Sequence, residues 1–257
     1  MTPLASAVHP TVGPKTWPTR RPWLVAIGYS LVPVAFTAAG SAVAQVRGMD
    51  ELASYLTIAL AVTVSAVVGL LIMWRTSPSL ADFGLRRPHN AAGALWWVPP
   101  VAVVVLVLMG SGVTVPLAVV PGIACLVVAV GLNEELFFRG IVFKALRRYG
   151  TGRAVVFSAL IFGVMHLANV ASGKTAGYLV LQVLFSMLFG IVTAELVAVT
   201  DSLWPGILFH TAYNAVSYLG GDSNSTRAVI SLAVQVGVLG GYAVWLWRRL
   251  PREGVSA

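Results

Sequence analysis

Charge is what this chain has least of. Charged residues make up 10% of its 257 positions and hydrophobic ones 58%, against about 25% and roughly 45–50% in soluble domains. So few charges cannot cover a globular surface with polar groups, which excludes a soluble protein of this length. Mean hydropathy of +0.85 points the same way. Cysteine is nearly absent: Cys125 stands alone, so there is no intramolecular disulfide and no CxxC zinc or redox site. Lysine is scarce, three against fourteen arginines, a usage that fits a GC-rich bacterial genome. No 20–50-residue repeat and no low-complexity segment is evident. Disorder, a disulfide-knit secreted fold and a soluble DNA-binding domain are thereby excluded.

What the chain does have is long apolar runs. A bilayer core needs about 20 apolar residues as a helix. Eight such spans are expected, over 22–46, 52–74, 91–111, 115–143, 154–172, 177–199, 203–221 and 228–247. The expected fold is therefore an all-α polytopic membrane protein. A single transmembrane bundle covers 22–249, between a disordered tail at 1–21 and a short cytoplasmic tail at 250–257. Arg20 and Arg21 ahead of an apolar run ending in Ser41-Ala42-Val43-Ala44 resemble a signal peptide, but the run is long for one, and the first helix is expected to be retained.

The net charge of +8 suggests nucleic acid until its distribution is considered. Basic residues cluster at the ends of apolar runs. With the N-terminus inside, thirteen fall in cytoplasmic segments and three (Arg47, Lys174, Arg227) outside, with Arg139 left within a span. That bias predicts N-in, C-in topology and no nucleic-acid partner. Trp204, Trp245 and Trp247 fall near the cytoplasmic interface, where aromatic belts form. The stretch 80–87 reads equally well as a short interfacial segment or an ordinary basic loop.

Ionisable residues inside spans are costly. Insertion scales charge ~2.5–3.5 kcal/mol for each central Asp, Lys or Arg, so the fourth span, with Glu134, Glu135 and Arg139 beside Asn133, carries a penalty on the order of 9 kcal/mol before pairing. Glu135 and Arg139 are four apart and share a face, so they can pair. Glu134 is rotated about 100° away and must be answered by another span. The fifth span offers His166 and Asn169, and the seventh His210 and Asn214, one turn apart. At 1.5 Å per residue, Glu134 lies ~15 Å in, His166 ~18 Å, His210 ~10 Å and Asn214 ~16 Å. That agreement predicts one polar chamber opening towards the cytoplasm. Alone, a buried histidine is ordinarily a packed, hydrogen-bonded residue; the shared depth argues for function. Glu195 is expected to reach the interface or pair with a basic loop. His9 and His89 are expected to be solvated.

The segments Glu134-Glu135-xxx-Arg139, Phe162-xxx-His166 and His210-xxx-Asn214 resemble, in order and spacing, the three motifs of the CAAX-protease and bacteriocin-processing (CPBP, or Abi) family of intramembrane endopeptidases. The motif region covers about 131–216. The resemblance implies hydrolysis of a peptide bond in a membrane-associated protein or peptide, either CAAX-type cleavage or peptide maturation. It further implies that Glu134 activates water as general base, that His166 assists it, and that His210 and Asn214 stabilise the oxyanion, with Glu135 and Arg139 in support. Cofactor use stays open between none and a single divalent metal such as zinc, held by Glu134, His166 and His210. Asn214 favours the metal-free form, because an amide oxygen is a poor zinc ligand, and the HExxH helix is absent.

Two other functions compete. One is a non-proteolytic bacteriocin-immunity or partner-binding protein of the same fold. The other is a proton- or metal-coupled transporter, although the repeated halves common in transporters are not found. The implied partners are the lipid bilayer and a membrane-associated substrate, and the implied location is a bacterial plasma membrane.

Overall fold

A computed structural model describes residues 21–77, 79–89, 96–173, 175–220 and 225–251, without the side chains of residues 171 and 172. Most of both tails, the first residues of the third expected span (91–95) and Lys174 lie outside the described residues.

Each expected span coincides with helix. α1 (Pro22–Val46) opens on a proline, which pre-sets the first turn at no cost in hydrogen bonds. α2 (Glu51–Thr76) is capped by Asp50, whose carboxylate accepts from the Ala53 N–H at 2.8 Å. α3 is Val98–Ser111 and α4 Val120–Glu135. A π-helix, Leu136–Val142, and α5 (Phe143–Leu146) continue α4 to form one long span. α6 (Thr151–Met165) passes into a 3-10 helix, His166–Ser172. α7 (Ala176–Thr200) and α9 (Thr226–Trp247) start on Thr175 and Ser225 caps, and α8 is Trp204–Gly220. Among the described residues every regular element is helical, and six helices are long and apolar enough to cross a membrane. α3, with 14 residues, and α8, with 17, fall short of the ~20 that a perpendicular crossing needs.

The distribution of polarity is that of a membrane protein. Leu24, Leu60, Trp74, Val101 and Met109 face outward, while Ser65, Asn133, Glu135, Arg139, Glu195 and His210 are buried. In lipid, polar side chains turn to the bundle interior because hydrocarbon offers them no partner. At the centre is the α4–π–α5 span, with Leu136, Phe137, Ile141 and Leu146 fully buried. α2 and α8 pack against α4, α9 packs against α3 and α7, and α6 packs along α7.

One sequence expectation needs correction, and two spans depart from regular α geometry. The fourth span is not an uninterrupted α-helix. It widens into the π-helix directly after Glu135, where the buried Arg139 sits; such segments are frequent at functional sites. The fifth span likewise abandons α geometry at His166. Glu195 does not reach the interface. It is fully buried, and neither carboxylate oxygen has a hydrogen-bond partner among the described residues. Its helix, α7, is the most enclosed of the six long apolar helices, and α9 covers it. Residues 80–87 begin with a 3-10 turn, Leu80–Phe83, packed on the bundle end through Phe83.

Candidate active site

α4 delivers two carboxylates and α8 answers both with one imidazole. Two glycines make this possible. A Cβ at Gly131 would collide with Thr211 of α8, and one at Gly206 would stand 2.9 Å from Glu135 Oε2. The absence of both side chains lets the two backbones close at the level where Glu134, Glu135 and His210 meet.

His210 is buried, 5% exposed. Its Nδ1–H donates to Glu135 Oε1 at 2.9 Å, since a carboxylate oxygen can only accept. The other ring nitrogen, Nε2, lies 3.6 Å from Glu134 Oε2. That exceeds direct hydrogen-bond length. It suits a proton or a water shared between carboxylate and imidazole. The second oxygen of Glu135 faces Arg139 Nε at 3.4 Å, with both side chains almost wholly buried. A chain Arg139–Glu135–His210–Glu134 therefore crosses from α4 to α8 and back.

Phe162 packs against two members of this group and against His166. Its ring lies 4.2 Å from the Arg139 guanidinium carbon, 4.7 Å from the His166 ring and 6.0 Å from the His210 ring. The guanidinium over the ring face is a cation–π contact, which helps a buried charge whose Nη1 and Nη2 have no hydrogen-bond partner among the described residues. His166 donates Nδ1–H to the Phe162 carbonyl at 2.9 Å, leaving Nε2 as the acceptor nitrogen. Below it, Asn169 donates to Gln182 at 3.1 Å, tying the 3-10 helix to α7.

The structure thus brings together Glu134, Glu135, Arg139 and His210. Among the described residues no hydrogen bond or ion pair joins Glu134 to His166 or to Asn214, which stands one turn beyond His210 and is half-buried. Sequence reasoning gave Glu135 only Arg139 as a partner. Its hold on His210 was missed, and the signal was the glycine at 206 facing it. Asn133, beside Glu134, is buried, and neither amide atom has a hydrogen-bond partner among the described residues.

A zinc ion needs three converging protein ligands plus water. Among the described residues no three His, Cys, Asp or Glu side chains are placed to hold one. Glu134 and His210 approach each other, but His210 Nδ1 is engaged by Glu135 and His166 does not join them. The donor set as arranged does not fit a metal.

Residues 116–216, the segment from the start of the fourth span to two residues past Asn214, match the family model described as type II CAAX prenyl endopeptidase Rce1-like. That segment is therefore a domain of the CAAX-protease (CPBP) family, a class of intramembrane endopeptidases. No curated protein matches the chain.

Proposed function

We propose that the protein hydrolyses a peptide bond of a membrane-associated protein or peptide with Glu134 as general base and His210 as its partner. The observation that carries this reading is the split engagement of His210, with Glu135 on Nδ1 at 2.9 Å and Glu134 facing Nε2 at 3.6 Å. An imidazole held through Nδ1 by a carboxylate has a fixed orientation and is stabilised when its other nitrogen takes a proton, the logic of the Asp–His pair in serine proteases.

The step runs as follows. Glu134 takes a proton from water while the water oxygen attacks the peptide carbonyl carbon. Negative charge develops on the carbonyl oxygen. Protonated His210 Nε2 and the Asn214 amide, on one face of α8, donate to that oxyanion; one such donor is worth about 2.7–4 kcal/mol. Glu134 then passes its proton to the leaving amine as the C–N bond breaks, giving a carboxylic acid terminus, which ionises on release into water, and a free amine. His166, with Nε2 open, orients the water. Arg139 neutralises Glu135, so that the pair can support an imidazolium without a net charge of its own.

The substrate proposed is a peptide segment close to the bilayer, either a CAAX-type C-terminus or a peptide undergoing maturation. The charge asymmetry of the chain supports an N-in orientation in a bacterial plasma membrane, with the chamber reached from the cytoplasmic side. The test is cleavage of a fluorogenic CAAX-type peptide, and of membrane-fraction peptides by mass spectrometry, using protein reconstituted in liposomes. Turnover by the wild type that is abolished in Glu134→Gln and His210→Ala is expected. Equal turnover in all three sinks the assignment of these residues. No cleavage by the wild type of any peptide favours the immunity or partner-binding alternative.

A further inference from the structure

Outside the site, the stretch between α2 and α3 is tied to its surroundings more closely than a surface loop needs. Its backbone is stitched to the short α7–α8 turn. The Leu203 N–H donates to the Gly84 carbonyl at 2.8 Å and the His89 N–H to the Thr200 carbonyl at 2.7 Å. The Ser202 hydroxyl donates to the Arg86 carbonyl at 2.5 Å, and Arg86 Nε donates to the Asp201 carbonyl at 2.9 Å. The Arg86 guanidinium also pairs with the Asp201 carboxylate.

The conformations on both sides are special. Asp201 is the one non-glycine residue at positive φ (56°) among the described residues. Gly84, at φ 87°, lies where a Cβ would meet the Leu203 backbone nitrogen at 3.3 Å. On its opposite flank the same stretch grips the helix of Glu134. Lys144 Nζ, on the α5 continuation of that helix, donates to the Asp82 carbonyl at 2.8 Å and sits 3.8 Å over the Phe83 ring; the Ser77 hydroxyl, at the end of α2, bonds the Asp82 carboxylate and ties the stretch to that helix as well.

One strap therefore joins the two helices that carry Glu134 and His210. α8 begins at Trp204, directly after the strapped turn, and His210 follows ~9 Å along its axis. With no slack between turn and helix, the strap sets how far along its axis α8 lies, and a slip of one residue, ~1.5 Å, would change the 3.6 Å approach of His210 to Glu134. We propose that residues 79–89 are a positioning strap that fixes α8 against α4, with Arg86 and Asp201 as positioning residues for the Glu134–His210 pair. This rests on the reading of that pair as the reacting groups.

The Arg86–Asp201 pair is suited to a test because its side chains are 37% and 51% exposed. Exposed pairs contribute little to folding stability. The variants are Arg86→Ala, Asp201→Gly (which keeps the positive-φ turn but removes the carboxylate), their double mutant, and Arg86→Lys as the conservative variant.

Two readouts separate failure of the strap from failure of the catalytic reading. The first is steady-state cleavage. Arg86→Ala and Asp201→Gly should each lower kcat about 10–100-fold with KM changed less than about twofold, as expected for a displacement near 1 Å. The double mutant should be no worse than either single, and Arg86→Lys should recover part of the loss. The second is independent of activity. Spin labels at Val128→Cys on α4 and Leu208→Cys on α8, both outward-facing, in a Cys125→Ser background, should give one narrow distance distribution by pulsed electron resonance. Arg86→Ala should broaden or shift it, and Arg86→Lys should restore it. An unchanged distribution in Arg86→Ala overturns the strap whatever the activity. If the parent protein cleaves nothing, the catalytic reading fails, and the distance measurement alone decides whether the strap positions α8.

Discussion

Glu135 divides its carboxylate between two elements, accepting from His210 Nδ1 at 2.9 Å with one oxygen and facing Arg139 Nε at 3.4 Å with the other. One residue thus carries both a structural ion pair and the orientation of an imidazole, and the two can be separated by mutation. Glu135→Gln leaves Arg139 buried without a counter-charge, an arrangement that costs about 3–5 kcal/mol. The variant should unfold at markedly lower temperature and also lose activity. Adding Arg139→Met removes the orphaned charge and should restore most of the thermal stability. Turnover should stay low, because an amide cannot support an imidazolium as a carboxylate does; loss of the equivalent carboxylate in a serine protease costs about 10⁴ in kcat. Recovery of turnover together with stability would reduce Glu135 to a purely structural residue.

The approach of α4 to α8 gives the second expectation. A methyl group at Gly131 would meet the Thr211 side chain, and overpacking of this kind costs typically 1–3 kcal/mol. Gly131→Ala should depress both melting temperature and cleavage, because spreading the helices parts Glu134 from His210. Thr211→Ala removes the hydroxyl that makes the closest contact and should return part of each. The effect on cleavage should exceed that of an equally destabilising substitution in the seam between α3 and α9, neither of which carries a residue of the Glu134–His210 group. If the two variants, matched for stability, turn over equally fast, helix separation at Gly131 is not what limits the reaction.

Most of the architecture was legible in the sequence because its cause is local. A run of about 20 apolar residues answers a bilayer and needs no other contact to explain it, and each expected span carries helix. Glu134, Glu135, Arg139 and His210 were legible for the opposite reason: a polar group in an apolar run is costly and must be answered by another. What stayed hidden is tertiary. The π-helix at Leu136–Val142 and the change to 3-10 geometry at His166 follow from what surrounds those helices, and hydrophobic periodicity carries no mark of either. Depth arithmetic on straight helices put four side chains at one level. It did not say which imidazole nitrogen faces which carboxylate. That depends on the rotation of α8, which Gly206 and the turn at Asp201–Leu203 control. Glu195 was misjudged because its distance from the helix end was legible and the cover provided by α9 was not.

Glu195 offers an expectation in the direction of greater stability. Its carboxylate is buried in α7 with neither oxygen hydrogen-bonded among the described residues, and Tyr242 of α9, within electrostatic reach, gives its hydroxyl to the Trp96 carbonyl at 2.7 Å. An unsatisfied buried polar group costs about 1–3 kcal/mol. Glu195→Met, of similar length, should therefore raise the thermal midpoint in nanodiscs and leave cleavage unchanged, since among the described residues no hydrogen bond or ion pair joins Glu195 to the His210 group. A fall in the midpoint would show that the carboxylate finds a partner in the membrane.

Geometry bears on metal dependence, which the family resemblance leaves open between no metal and a single divalent ion. Glu134 Oε2 and His210 Nε2, 3.6 Å apart, could both reach one ion, since zinc lies about 2.0–2.2 Å from each type of ligand. Among the described residues a third ligand is missing. His210 has its second nitrogen on Glu135, His166 has Nδ1 on its own helix carbonyl, and no third acidic, thiol or imidazole group converges among the described residues. Two protein ligands make a weak site, one that dialysis against a chelator empties. Cleavage should therefore persist after dialysis against 1,10-phenanthroline, and metal analysis of the active preparation should find far less than one zinc per chain. Activity lost on chelation and regained with stoichiometric zinc would require His166 to swing its Nε2 towards Glu134. In that case His166→Ala should abolish zinc retention as well as turnover, whereas Asn214→Ala should impair turnover alone.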